Sequence, residues 1–86
     1  MRHATDTALD VLEGLLGEIR KRHATLRERK RGAFYRGGRG WLHFHEDPAG
    51  LFADLKIGGS FVRFRVTTKA EQGGLLRKLH ASLAED

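Results

Sequence analysis

Two periodicities divide this chain. Between residues 6 and 31, Leu9, Leu12, Leu16, Ile19, His23 and Leu26 recur at three- and four-residue spacing, with Ala8, Val11 and Leu15 widening the stripe. That pattern predicts one long amphipathic helix. Thr5 or Asp6 is placed to cap its first turn, and Gly32 to end it. Gly14 and Gly17 lie inside it and each costs about 1 kcal/mol against alanine. From residue 33 the period falls to two, predicting strands at 33–36, 41–45, 51–57 and 60–67. They are joined by Gly37-Gly38-Arg39-Gly40, by a five-residue loop Glu46-Asp47-Pro48-Ala49-Gly50, and by Gly58-Gly59. None of these is long enough for a parallel crossover, so an antiparallel meander is expected. Helical spacing returns at 69–83 through Leu75, Leu76, Leu79 and Leu83. Thr68-Lys69-Ala70-Glu71 precedes it with capping-box spacing.

Alternation sorts the strand residues onto two faces. One carries Leu42, Phe44, Leu51, Ala53, Leu55, Ile57, Val62, Phe64 and Val66, a core. The other carries Trp41, His43, His45, Phe52, Asp54, Lys56, Phe61, Arg63, Arg65 and Thr67. Two apolar helix stripes and one apolar sheet face must cover one another. The expected fold is therefore α+β: a two-layer sandwich with a four-stranded antiparallel meander and N- and C-terminal helices on one face, in one domain spanning residues 1–86. The second sheet face is left for water or a partner.

Charge sharpens this picture. The chain has 16 Lys and Arg against 11 Asp and Glu, a formal charge of +5. The excess concentrates in Arg20, Lys21, Arg22, Arg27, Arg29, Lys30 and Arg31. Placed at a helix end, such a cluster attracts phosphate or an acidic protein partner, although it also complements the helix dipole. Without cysteine there is neither a disulfide nor a thiolate metal site. No apolar run approaches the roughly 20 residues that cross a bilayer, and Asp6 and Asp10 interrupt any secretory signal. No membrane association and a cytoplasmic location are expected.

Chemistry is sparse. His43 and His45 share a face in His43-Phe44-His45-Glu46-Asp47, but a His-x-His pair needs a third ligand, and Asp54 is the only evident one. No metal site or cofactor is assigned on that basis, and His-based metal binding stands as a minor alternative. No nucleophile accompanies the histidines, and Gly37–Gly40 lacks the spacing and following helix of a phosphate loop, so no enzyme activity is expected. Aromatic groups beside cations are how several sheets hold single-stranded nucleic acid. The expected function is a non-catalytic basic binding module for nucleic acid. Arg20, Lys21, Arg22, Arg27, Arg29, Lys30, Arg31, Arg63 and Arg65 would supply charge, and Trp41 and Phe61 would supply stacking. The alternative is a homodimeric interaction domain joined through the same aromatic face.

Overall fold

The computed structural model describes residues 1–85. Its elements are β1 (Arg2–His3), α1 (Asp6–Val11), α2 (Glu13–Arg22), β2 (Arg27–Lys30), β3 (Ala33–Arg36), β4 (Arg39–Asp47), β5 (Gly50–Ile57), β6 (Ser60–Arg65) and α3 (Lys69–Glu85). The α+β class, the antiparallel sheet and the two terminal helical segments agree with the sequence reading. The sheet is larger than expected. Its strands run β2-β3-β4-β5-β6, and β1 pairs with the distal part of β4. No helix among the described residues is long and apolar enough to cross a membrane.

The first helix is shorter than its stripe implied. It loosens at Leu12, across which the hydrogen bonds Leu12 N–H to Ala8 and Leu16 N–H to Leu12 still run. It ends at Arg22, and residues 27–30 form a strand rather than its last turns. Helical geometry would have stacked Arg27 beneath Arg31, a repulsive i,i+4 pair. As a strand, the segment turns Glu28 toward α2, where its carboxylate accepts from Arg20 Nε at 2.6 Å and from the Gly32 N–H at 2.8 Å. Gly32 thus closes the β2–β3 turn instead of a helix. Its φ is +79°, and a Cβ there would stand 2.7 Å from a Leu9 methyl.

The Gly37-Gly38 and Gly58-Gly59 turns both place φ in the left-handed region, as two-residue hairpins require. The expected five-residue loop is also tighter. Pairing continues through Asp47 and Gly50, leaving only Pro48-Ala49, and the Asp47 carboxylate accepts from the Ala49 N–H. The capping box of α3 forms as its spacing predicted, Thr68 Oγ1 accepting from Glu71 N–H and Glu71 accepting from Thr68 N–H.

Leu12, Leu15, Leu16 and Ile19 from the N-terminal helices pack with Leu75 and Leu79 of α3 against Phe34, Leu42, Phe44, Ala53, Leu55 and Val66 of the sheet. Two assignments change. Val62 lies in the row paired with Leu55 but is 40% exposed, because the edge strand extends past its helical cover. Trp41 belongs to the core and not to the outer face, being only 4% exposed. The pairing of β3 with β4 slips between Phe34–Leu42 and Tyr35–Gly40, so Trp41 is the extra residue of a bulge. It turns inward beside Leu42, and its indole N–H donates to Ser82 Oγ on α3 at 3.3 Å.

Candidate functional site

With all three helices on one side, the other sheet face carries the chain's concentrated chemistry. Register fixes its layout. His3, His45, Phe52 and Arg65 stand in one row across β1, β4, β5 and β6, and His43, Asp54 and Arg63 in the next. Lys56 and Phe61 follow, and Tyr35 pairs with Gly40 beyond the bulge. A side chain at Gly40 would sit 3.8 Å from Phe61 and 3.9 Å from Tyr35, so those two rings converge over bare backbone.

Each aromatic on this face has a cation. Arg29 lies 4.8 Å from the Tyr35 ring centre, Lys56 lies 5.6 Å from Phe61, and Arg65 lies 5.6 Å from Phe52. Phe61 is 46% exposed and also meets the His43 ring at 4.9 Å. Such cation–π contacts hold the guanidinium and ammonium groups over the sheet instead of extended into solvent.

At the centre lies a polar cluster. Asp54 is buried and receives a two-pronged bond from Arg63, Nε and Nη2 each at 2.8 Å. That bond holds its carboxyl below the usual carboxylate range. Asp54 Oδ2 is also 3.1 Å from His45 Nε2, which stands 3.0 Å from His43 Nδ1. Burial, together with the neighbouring His45, lowers the His43 pKa, favouring its neutral form. His3 stacks on His45 with ring centres 4.8 Å apart. Its place is set by β1, which is fastened where Glu46 accepts from Arg2 Nε and from both the backbone and hydroxyl of Thr5.

The basic residues singled out from sequence do not form one helix end. Arg20 pairs with Glu13 and Glu28, Arg31 with Asp10 and Glu13, and Arg22 with Glu18. The Arg20 and Arg31 pairs staple β2 and its turn to the helices, the Arg22 pair lies within α2, and all of them neutralise charge that would otherwise reach a phosphate. Arg63 and Arg65 do lie on the open face, paired with Asp54 and Glu71 respectively. Among the described residues, Lys21, Arg27 and Lys30 are exposed and have no ion pair. Arg27 pairs with Tyr35 and so joins Arg29 on the open side.

Sequence reasoning missed Tyr35 and His3. Tyr35 follows from alternation in residues 33–36 once Phe34 is placed in the core. His3 had no local signal, because two residues carry no period. His23, the histidine on the helical stripe, is partly buried near His80 on the opposite side of the molecule's sheet layer, with ring centres 5.9 Å apart. The chain matches no known family model, and comparison with curated proteins and with solved structures yields no significant match.

Proposed function

We propose that this protein is a non-catalytic cytoplasmic binding module whose open sheet face holds single-stranded nucleic acid. The observation that carries the reading is the set of three aromatic–cation pairs, Tyr35 with Arg29, Phe61 with Lys56 and Phe52 with Arg65, on one helix-free face. Bases stack on such rings whatever their sequence, at about 1–3 kcal/mol each, while adjacent cations take the phosphates. Trp41 has no part in this, and Arg20, Arg22 and Arg31 serve the fold. Of the residues expected from sequence, Arg27, Arg29 and Arg65 remain as phosphate contacts, and Lys56 joins them.

Fluorescence anisotropy with labelled mixed-sequence single strands tests this. Binding is expected at low salt, weakening steadily as salt rises. Phe61→Ala is expected to lose about 1–3 kcal/mol of binding free energy. Absence of binding at low salt would refute the reading.

A second copy of the chain is the other partner that a specific feature favours. Among the described residues, the edge strand β6 has no neighbour beyond it, and it exposes Phe61 and Val62. An edge that exposes apolar side chains invites strand pairing, although Arg63 and Arg65 on the same strand oppose it. A monomeric mass by light scattering at high concentration would exclude it.

A further inference from the structure

We propose that His3, His43 and His45 form a binding site for one transition-metal dication of the zinc, cobalt, nickel or copper class. The fold converges these rings from separate places. Antiparallel pairing sets His3 directly opposite His45, and alternation along β4 sets His43 on the same face. One ring nitrogen from each of the three lies within 4.8 Å of the others. Around a tetrahedral ion with bonds of about 2.0–2.1 Å, ligand nitrogens stand roughly 3.3 Å apart. His43 Nδ1 and His45 Nε2, at 3.0 Å, are already near that separation. His3, exposed and on a two-residue strand, has the freedom to close the remaining distance by rotating its ring.

The His43 and His45 rings are inclined at 79°, with Nδ1 of one 3.0 Å from Nε2 of the other. A single shared proton satisfies such a pair only once, whereas an ion between them uses both lone pairs. Asp54 completes the arrangement, its Oδ2 lying 3.1 Å from the same His45 nitrogen. Because a nitrogen bound to the ion carries no proton, Asp54 stands as a carboxylate beside the ion and not as an outer hydrogen-bond partner of His45, and Arg63 fixes its position. His45 and Asp54 are largely shielded, with 12% and 11% of their side chains exposed, so the site has a fixed floor and an open, solvent-facing side at His3. Three imidazoles beside one carboxylate suit zinc-class ions, whereas magnesium and calcium prefer all-oxygen shells. The sequence offered the His43–His45 pair with Asp54 as a third ligand; the third imidazole, His3, comes from β1 at the N-terminus, which pairs with β4.

The test uses tag-free, chelator-treated protein titrated with zinc chloride by calorimetry, and with cobalt followed by visible absorption. One ion per chain is expected, with no heat from magnesium. His3→Ala and His43→Ala are each expected to weaken zinc binding at least ~10-fold, while circular dichroism in chelator confirms that both variants fold. His3 is exposed, so its variant keeps the test sound even if His43→Ala fails to fold. His80→Ala, which removes one ring of the His23–His80 pair, is expected to bind as the wild type does. No zinc binding, unchanged affinity in His3→Ala, or loss of affinity in His80→Ala would each overturn the proposal. The outcome is independent of oligonucleotide binding, which can fail while this site holds.

Discussion

Glu28→Gln is expected to destabilise the fold in a pH-dependent way. Glu28 sits on β2 with its carboxylate turned inward, taking Arg20 through two bonds of 2.6 and 3.0 Å and the Gly32 N–H at 2.8 Å. Hydrogen bonds to charged groups contribute about 1.5–3 kcal/mol when well shielded. Arg20 is 38% exposed and retains Glu13, which brings the ion-pair part toward about 1 kcal/mol. The glutamine carbonyl can still accept from Gly32, so the net loss works out to about 1.5 kcal/mol, or roughly 6–12 °C in Tm for a domain of this size.

The sign with pH follows from linkage. The Arg20 hydrogen bonds lower the Glu28 pKa beneath its ordinary 4.5. Its contribution is therefore complete above that value and is lost as pH falls through the folded-state pKa. Thermal melts of the two proteins between pH 3 and pH 7 are expected to differ most near neutrality and to converge in acid. Glu18→Gln, which removes only the exposed i,i+4 partner of Arg22, is expected to change stability by less than about 0.5 kcal/mol. Equal melting of wild type and Glu28→Gln at pH 7 would refute the reasoning, because an exposed position on a continuous helix would behave that way. So would a difference that persists undiminished at pH 3.

Other outcomes follow from the same contacts. Trp41 is the only tryptophan, so its fluorescence reports its site directly; blue-shifted emission and weak acrylamide quenching are expected, unchanged when oligonucleotide is added. Trp41→Ala is expected to cost about 3–5 kcal/mol in urea unfolding, since it empties a core position and removes the indole donor to Ser82, whose hydroxyl keeps its bond to the Leu79 carbonyl. Two glycines should respond in opposite directions. Gly17→Ala is expected to raise stability by up to ~1 kcal/mol, since a Cβ there meets nothing within 4 Å. Gly32→Ala is expected to lower it by about 1–3 kcal/mol, because its φ of +79° and the Leu9 methyl at 2.7 Å both disfavour a side chain. Chemical denaturation of both variants checks this pair.

The apolar periodicities carried most of the fold. The strands within residues 33–67, the helix after Thr68 and the inner sheet face follow from alternation, turn glycines and a capping box, all local signals. Three features had no such signal. Residues 27–30, Arg-Glu-Arg-Lys, are polar on both sides, so an edge strand held by backbone pairing leaves no hydrophobic mark, and the helical stripe through His23 and Leu26 ran over it. The bulge at Trp41 adds one residue to β4, which reverses the face of a position that a strict period of two places outside. The two residues of β1 are held by Glu46, more than forty positions away, so neither their strand nor the approach of His3 to His45 is local information. The candidate site was legible accordingly. His43, His45, Phe52, Asp54, Lys56, Phe61, Arg63 and Arg65 share the open face as alternation implied, while Trp41 left it and Tyr35, Arg29 and His3 joined it.

The most direct test of the central claim maps the bound surface. In nitrogen-15 NMR titrations with a short mixed-sequence single strand at low salt, the largest shifts are expected at Tyr35, His43, Phe52, Lys56, Phe61 and Arg65, with α1, α2 and α3 nearly silent. Shifts confined to the helices, or none at all, would contradict the assignment of the open sheet face as the binding surface.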